Sequence, residues 1–341
     1  MDRVVAVRTN VPTFAPFRPR APWFGPDLQT VRNAIRHRAP ALSRYTVERL
    51  TFEMGDGSGD RLVGHLQDPG PGSAEHPLVV LIHGLAGSAQ SAYMETSAAH
   101  WLERGSRVLR LDLRGAGASR PLCRLQYHAG RTSDLRDALR ALPAGRAPAG
   151  LVMVGYSLGG NLLLKFLAEH ESELPVRAAA AVSVPIDLAA ASRRFLARRN
   201  RIYHASLLRA MKRESTLPGA ELSARERAAI FEARSVLEFD EHFVAPRNGY
   251  ASAQEYYEKN SAVKFLPGVR VPTLVMHALD DPWIPAESYT GFSWQENEHL
   301  VPLLSPGGGH VGFHGRGSRV PWHDRCLALF LDRHLAPVPH L

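Results

Sequence analysis

The sequence predicts an α/β fold: a mostly parallel central sheet, helices on both of its faces, and a helical cap inserted late in the chain. Three observations carry this. Five short apolar runs, each closed by turn residues, read as buried strands: PLVVLIHG (77–84), SRVLRLDLRG (106–115), GLVMVGYS (150–157), AAAAVSVP (178–185) and TLVMHALDD (273–281). Helical stretches alternate with them at 89–104, 132–142 and 159–170. The alternation then stops, because 186–262 holds helical stretches rich in Arg, Ala, Leu and Glu and no convincing strand.

Each element has a local reason. The five runs are almost continuously aliphatic, which suits strands covered on both faces. The first helix ends at Gly105, the second stops before Pro143, and the third begins directly after Gly155-Tyr156-Ser157. The tail, 322–335, reads as an amphipathic helix that covers a sheet face. On this reading residues 1–341 form a single domain: an extension over 1–45, a core over 46–185 and 263–341, and the cap over 186–262. The extension is Pro-rich, carries Trp23 and Phe24, and is expected to wrap on the core.

Composition excludes several classes. With 45% hydrophobic residues, moderate Gly and Pro, and no internal repeat, the chain is globular rather than disordered or fibrous. No run approaches the roughly 20 uncharged apolar residues of a membrane helix. The opening MDRVVAVRTNVPTFAPF has an acid at position 2 and no continuous apolar stretch, so it does not resemble a secretory signal. Cys123 and Cys326, the only cysteines, are too few for a disulfide framework or a thiolate metal site and fit a reducing cytoplasm.

The net charge of +8 raises nucleic acid or an anionic membrane as partners. No nucleic-acid motif accompanies it, so nucleic acid is not expected. One concentration stands out, RRFLARRNRIYHASLLRAMKR at 193–213, where eight Lys and Arg are interleaved with Phe195, Leu196, Ile202, Leu207, Leu208 and Met211. A solvated helical face explains it; peripheral contact of the basic cap with an anionic membrane is the alternative.

The chemistry begins at GLVMVGYSLGGN, where Gly155-x-Ser157-x-Gly159 sits between an apolar strand and a helix. That context turns a common pentapeptide into a nucleophile turn, in which small neighbours leave room for a strained serine above the sheet edge. A serine hydroxyl needs a base, and the base needs a carboxylate to fix its tautomer. In turns of this kind the order is Ser, then acid after a late strand, then His on a later loop. His310, at the end of VPLLSPGGGHVGFHG, fits the base. The acid lies in the adjacent pair Asp280-Asp281.

The oxyanion of an acyl transfer would take one backbone N–H from Leu158, after the nucleophile, and one from Leu85 in LIHGLAGS. His83 reads as a support for that loop, and Arg114-Gly-Ala-Gly117 as a tight scaffold turn without the Lys of a phosphate loop. A metal shared by His310 and His314 is not expected, since the Glu of H-E-x-x-H is missing and glycines surround the pair. His323 and His334 read as surface or tail-helix residues.

Taken together, PWFGPDLQT (22–30), HGLAGSAQSAY (83–93), DLRGAGAS (112–119), GYSLGGN (155–161), ALDDPWIP (278–285) and GGHVGF (308–313) resemble the α/β-hydrolase superfamily. The resemblance is closest to its branch of bacterial YheT-like hydrolases and mammalian abhydrolase-domain lipid esterases, and covers nearly the whole chain. It implies a Ser-His-Asp triad at Ser157, His310 and Asp281, action on acyl esters from short model esters to glycerolipids, and no cofactor. Membrane-anchored members begin with a hydrophobic helix that this sequence lacks. The usual pattern of the acid loop selects Asp281, leaving Asp280 as a turn-capping or solvent-facing residue. The role of Gln29-Thr30 within the first block is not derivable from the pattern beyond packing.

Two functional readings follow. One is a serine carboxylesterase working through an acyl-enzyme, with cap aromatics Tyr203, Phe231, Phe239, Phe243, Tyr256 and Tyr257 either walling an acyl pocket or packing the cap internally. The other is a non-catalytic binding protein of the same fold, with the basic cap as docking surface.

Overall fold

The computed structural model describes residues 13–35 and 42–335. The expectations for the chain start, and for the rest of the 1–45 extension at 36–41, therefore lie outside the described residues. Among those described, eight strands form one sheet in the order β1-β2-β4-β3-β5-β6-β7-β8. Strands β3 (Leu78–Ile82), β4 (Val108–Asp112), β5 (Leu151–Tyr156), β6 (Val176–Val182) and β7 (Thr273–Ala278) occupy the five predicted runs. These five and β8 (Leu300–Ser305) are parallel, while β1 (Val47–Glu53) and β2 (Arg61–Gln67) form an antiparallel edge.

The period of two along a strand explains the continuous apolar runs. Val80 and Ile82 of β3 enter one apolar cluster with Leu109, Met153 and Leu163, whereas Val79 and Leu81 enter a second with Val108, Val154 and Phe330. Helix α1 (Gly25–Ile35) precedes the sheet in sequence. Helices α3 (Thr132–Arg140) and α4 (Leu158–His170) cover the first face. Helix α2 (Ala92–Glu103) and the closing helix Trp322–His334 cover the second.

Three strands escaped the sequence reading. β1 exposes most of its residues and interleaves Glu and Arg with apolar side chains, and β8 contains Pro302. The edge is nevertheless tied down by a buried ionic group. Arg114, fully buried, reaches Asp60 at 3.0 Å and Asp56 at 2.9 Å near the β1–β2 turn, and Asp134 at 2.7 Å on α3. The scaffold turn that carries it needs glycine at 117, where φ is 46° and an added Cβ would lie 2.2 Å from Asp112 Oδ1.

Between β6 and β7 the described chain is helical: α5 (Leu188–Phe195), α6 (Arg201–Ser215), α7 (Ala224–Glu232), a short run over 236–247 with one π-helical turn, and Ala253–Asn260. Local signals start these helices. Asp187, Ser223 and Ser252 each accept a hydrogen bond from a first-turn amide, and Ser223 with Glu226 completes a capping box. Leu208, Met211, Ile230, Phe239 and Phe243 pack together as the centre of this segment.

Candidate active site

β5 ends in the turn that carries Ser157. Its φ of 51° is left-handed, a conformation that costs a non-glycine residue about 1–2 kcal/mol. Close backbone approach explains the flanking glycines: a Cβ at Gly159 would sit 2.3 Å from the His83 carbonyl, and one at Gly155 2.6 Å from the Gly159 carbonyl. The Ser157 amide donates to the Val182 carbonyl at 2.9 Å, so the turn stays anchored to β6 while the side chain leaves the sheet.

The loop after β8 brings His310 over this serine. His310 Nε2 lies 3.0 Å from Ser157 Oγ, and Nδ1 lies 2.8 Å from Asp281 Oδ2. Asp281 is buried, and its other oxygen accepts the amides of Trp283 at 2.8 Å and Ile284 at 3.1 Å. Burial opposes its charge, but His310, His277 and the Trp283 amide together hold the carboxyl below its ordinary range. The carboxylate therefore fixes the imidazole with Nδ1–H toward Asp281 and Nε2 free to accept from Ser157. The Trp283 indole stacks on the His310 ring, with centroids 4.3 Å apart, and shields it on one side.

Asp280 faces neither the imidazole nor open solvent. It is half-buried and accepts the Gly309 amide at 2.9 Å, so the first acid of the pair clamps the loop that presents the histidine. Its carboxyl is pushed up by burial.

The Gln29-Thr30 block works on the same loop. Thr30 Oγ1 accepts the His310 amide at 2.9 Å while donating to the Pro26 carbonyl at 2.7 Å. Gln29, buried, accepts the His314 amide at 2.7 Å and donates to the Trp23 and His314 carbonyls. Ser183, at the end of β6, accepts the Val311 amide at 3.0 Å. Sequence reasoning missed all three roles; the only available signal was the PWFGPDLQT block, which carries no chemistry of its own.

The turn after β3 supplies the opposite wall. His83 donates from Nδ1 to the Gly84 carbonyl at 2.8 Å and accepts the Leu113 amide on Nε2 at 3.1 Å, and burial pushes its pKa down. Its ring is thus committed to two backbone groups. The amides of Gly84 and Ala86 donate to Tyr93 Oη at 3.0 Å and Tyr127 Oη at 2.7 Å, leaving the Leu85 amide between them. Leu85 and Leu158 line the same cavity as Ser157 and His310. His314 and His323, the latter on the closing helix, are both buried, and burial lowers them to about 2 and about 3.

That cavity is about 440 Å³ and lies between the sheet edge and the helical segment. Phe195, Met211, Phe239, Tyr256 and Tyr257 contribute to its wall. The other aromatics divide differently: Phe243 is in the segment's own apolar centre, Phe231 is 60% exposed, and Tyr203 donates to Asp27 on α1.

A profile of the family described as alpha/beta hydrolase fold matches residues 77–316. The chain belongs to that family. YheT of Escherichia coli (strain K12), designated an esterase, is 32% identical over 309 residues, covering 88% of each chain. A mouse protein named Phospholipase ABHD3 is 26% identical over 263 residues, 76% of this chain and 62% of its own length. Among solved structures, a Pyrococcus furiosus esterase, Pf2001, superposes with a TM-score of 0.61 at 16% identity, over 88% of this chain and 96% of that one. This α/β hydrolase thus resembles relatives of both the bacterial and the mammalian branch, and it is a hydrolase of the esterase and lipase type.

Proposed function

We propose that the protein is a serine carboxylic ester hydrolase working through an acyl-enzyme. The reading rests above all on the hydrogen-bond chain from Ser157 Oγ through His310 to Asp281. Ser157 Oγ attacks the ester carbonyl as His310 Nε2 removes its proton, and the imidazolium is stabilised by Asp281. The Leu85 and Leu158 amides hold the oxyanion. His310 then gives the proton to the departing alcohol; a water deprotonated by the same nitrogen attacks the acyl carbon, the ester bond to Ser157 Oγ breaks, and His310 returns the proton to Oγ as the acid leaves. No cofactor enters this cycle.

The substrate class follows from the cavity. Its wall of Phe195, Met211, Phe239 and the paired tyrosines favours an apolar acyl chain, lipid-like or of short to medium length. The helical segment 186–262 is then a cap on a single-domain core. A fluorophosphonate probe tests the reading: labelling of the wild type that disappears in Ser157→Ala is expected. An unlabelled, folded wild type would favour the rival reading of a non-catalytic binding protein.

The cap also supports peripheral contact with an anionic bilayer. Ile202, 84% exposed, stands among the exposed Arg198, Arg199 and Arg201, and Leu196 is exposed beside them. Arg199 pairs with Asp27 at 3.1 Å, which brings exposed Leu28 of α1 into the same neighbourhood. Apolar tips within an arginine field are what an interfacial surface uses. Co-sedimentation with phosphatidylglycerol vesicles, lost in Ile202→Asp and absent with neutral vesicles, is the expected result; equal recovery with and without vesicles would dismiss it. Among the described residues no helix is long and apolar enough to cross a membrane. The buried, unbridged Cys123 and Cys326 suit the reducing cytoplasm that completes this reading.

A further inference from the structure

The amides that flank Leu85 are held by side chains, and one of those side chains answers to the cap. Tyr127 is fixed in the core, its amide donating to the Arg114 carbonyl at 2.7 Å and its ring edge resting on His83. Its hydroxyl accepts the Ala86 amide at 2.7 Å and donates to Glu214 Oε2 at 3.0 Å. Glu214 belongs to α6 of the cap. A continuous hydrogen-bonded line therefore runs from the cap, through a core tyrosine, to the residue beside the expected oxyanion donor.

The apolar contacts repeat the same connection. The Leu85 side chain packs on the cap cluster of Leu208, Met211, Phe239 and Phe243. The Leu158 side chain packs on the cluster of Leu188, Ala253, Tyr256 and Tyr257. Both cavity-lining residues expected to supply the oxyanion amides thus rest their side chains on these clusters and not on the sheet. Ala86 itself has a φ of 53°, so the turn stores strain that something outside it must offset.

We propose that Glu214, acting through Tyr127, is a positioning residue that sets the oxyanion turn from the cap, so that cap docking and assembly of the oxyanion site are one event. The inference rests on the esterase reading above for the role of Leu85, but the geometry of the turn is measurable without it. The physical case is acceptor competition. Tyr127 Oη can hold the Ala86 amide in place only while its own proton is directed elsewhere, and the Glu214 carboxyl is where that proton goes. An oxyanion donor helps only at about 2.7–3.1 Å from the developing charge, so a turn displaced by a few tenths of an ångström loses rate without losing substrate.

The test uses the full chain and three variants: Tyr127→Phe, Glu214→Leu, which removes the acceptor, and the double variant. With a soluble short-chain ester, Tyr127→Phe is expected to lower kcat roughly 30-fold or more with KM within about threefold, the pattern of an interaction made in the transition state. Glu214→Leu is expected to lower kcat less, and to have no further effect when combined with Tyr127→Phe, since it acts only through that hydroxyl. Hydrogen exchange over the peptide containing Ala86 is the second readout, and should speed up in both single variants. Unchanged exchange at Ala86, or additive kinetic effects in the double variant, would overturn the proposal. A wild type lacking Ser157-dependent hydrolysis would instead remove the esterase reading, and the exchange experiment would still decide whether Glu214 and Tyr127 hold the turn.

Discussion

Asp240 opens the π-helical turn of the cap, buried, and accepts the Tyr257 hydroxyl at 2.6 Å. Among the described residues no ion pair reaches it, and burial pushes its carboxyl from 3.8 up to about 7. The sign follows directly. Between those two values the folded protein holds a proton that the unfolded chain has lost, so stability falls as pH rises through this window and the loss is complete above about pH 7. Asn at the same position keeps an oxygen for Tyr257 and never ionises. Relative to wild type, Asp240→Asn should therefore gain about 1 kcal/mol at pH 4.5 and about 4 kcal/mol at pH 8, on top of any pH-independent offset. For a chain of 341 residues that difference of about 3 kcal/mol corresponds to a rise of roughly 4 °C in relative Tm between the two pH values. Thermal unfolding of both proteins across pH 4.5–8.5 checks it. A Tm difference that stays flat over that range would refute the argument, because a buried neutral acid cannot be silent in the pH profile.

Other outcomes follow from the site. Asp281→Asn presents an amide N–H to His310 Nδ1 and stabilises the wrong tautomer, so kcat should fall by about 10⁴, while Asp280→Asn retains an acceptor for the Gly309 amide and should stay within about threefold; steady-state hydrolysis of one ester separates the two. Gln29→Ala leaves the buried His314 amide without its acceptor, which should cost about 1–3 kcal/mol in denaturant unfolding and lower kcat more than it raises KM. Arg114→Met strands Asp60 and Asp134, and a loss of about 3–5 kcal/mol in urea midpoint experiments is expected. Gly84→Ala places a methyl 3.0 Å from Ser157 Cβ and 3.1 Å from the Tyr156 carbonyl; fluorophosphonate labelling should slow sharply while circular dichroism stays native.

What could be read from the sequence, and what could not, divides along physical lines. β3 to β7 were legible because burial on both faces forces nearly unbroken apolar runs. β1 was not, because a mostly exposed edge strand can alternate Glu and Arg with apolar residues and still pair. Ser157 was legible because the glycines at 155 and 159 are demanded by contacts within a dozen residues or with the adjacent β3 turn. Thr30, Gln29, Ser183 and Glu214 act by one or two hydrogen bonds to distant segments, and such bonds impose no periodicity on either partner. Asp280 shows the intermediate case: its place in the loop was evident, but its partner, the Gly309 amide, lies 29 residues away.

The bonds from Thr30 and Gln29 to the histidine loop span 280 and 285 residues. During synthesis the α1 segment leaves the ribosome ahead of its partners and must wait, with those bonds unmade, until residues 310–314 have emerged. Most of the parallel strands can pair and the first apolar face can begin to close before then, because their contacts are nearer in sequence, whereas the second face also waits for the closing helix. The bracing of His310 is consequently among the last things the nascent protein can acquire. A nascent chain stalled before residue 310 would carry a formed Ser157 turn but no braced imidazole opposite it, so the hydrogen-bonded pair is completed only after the loop at 308–314 has emerged.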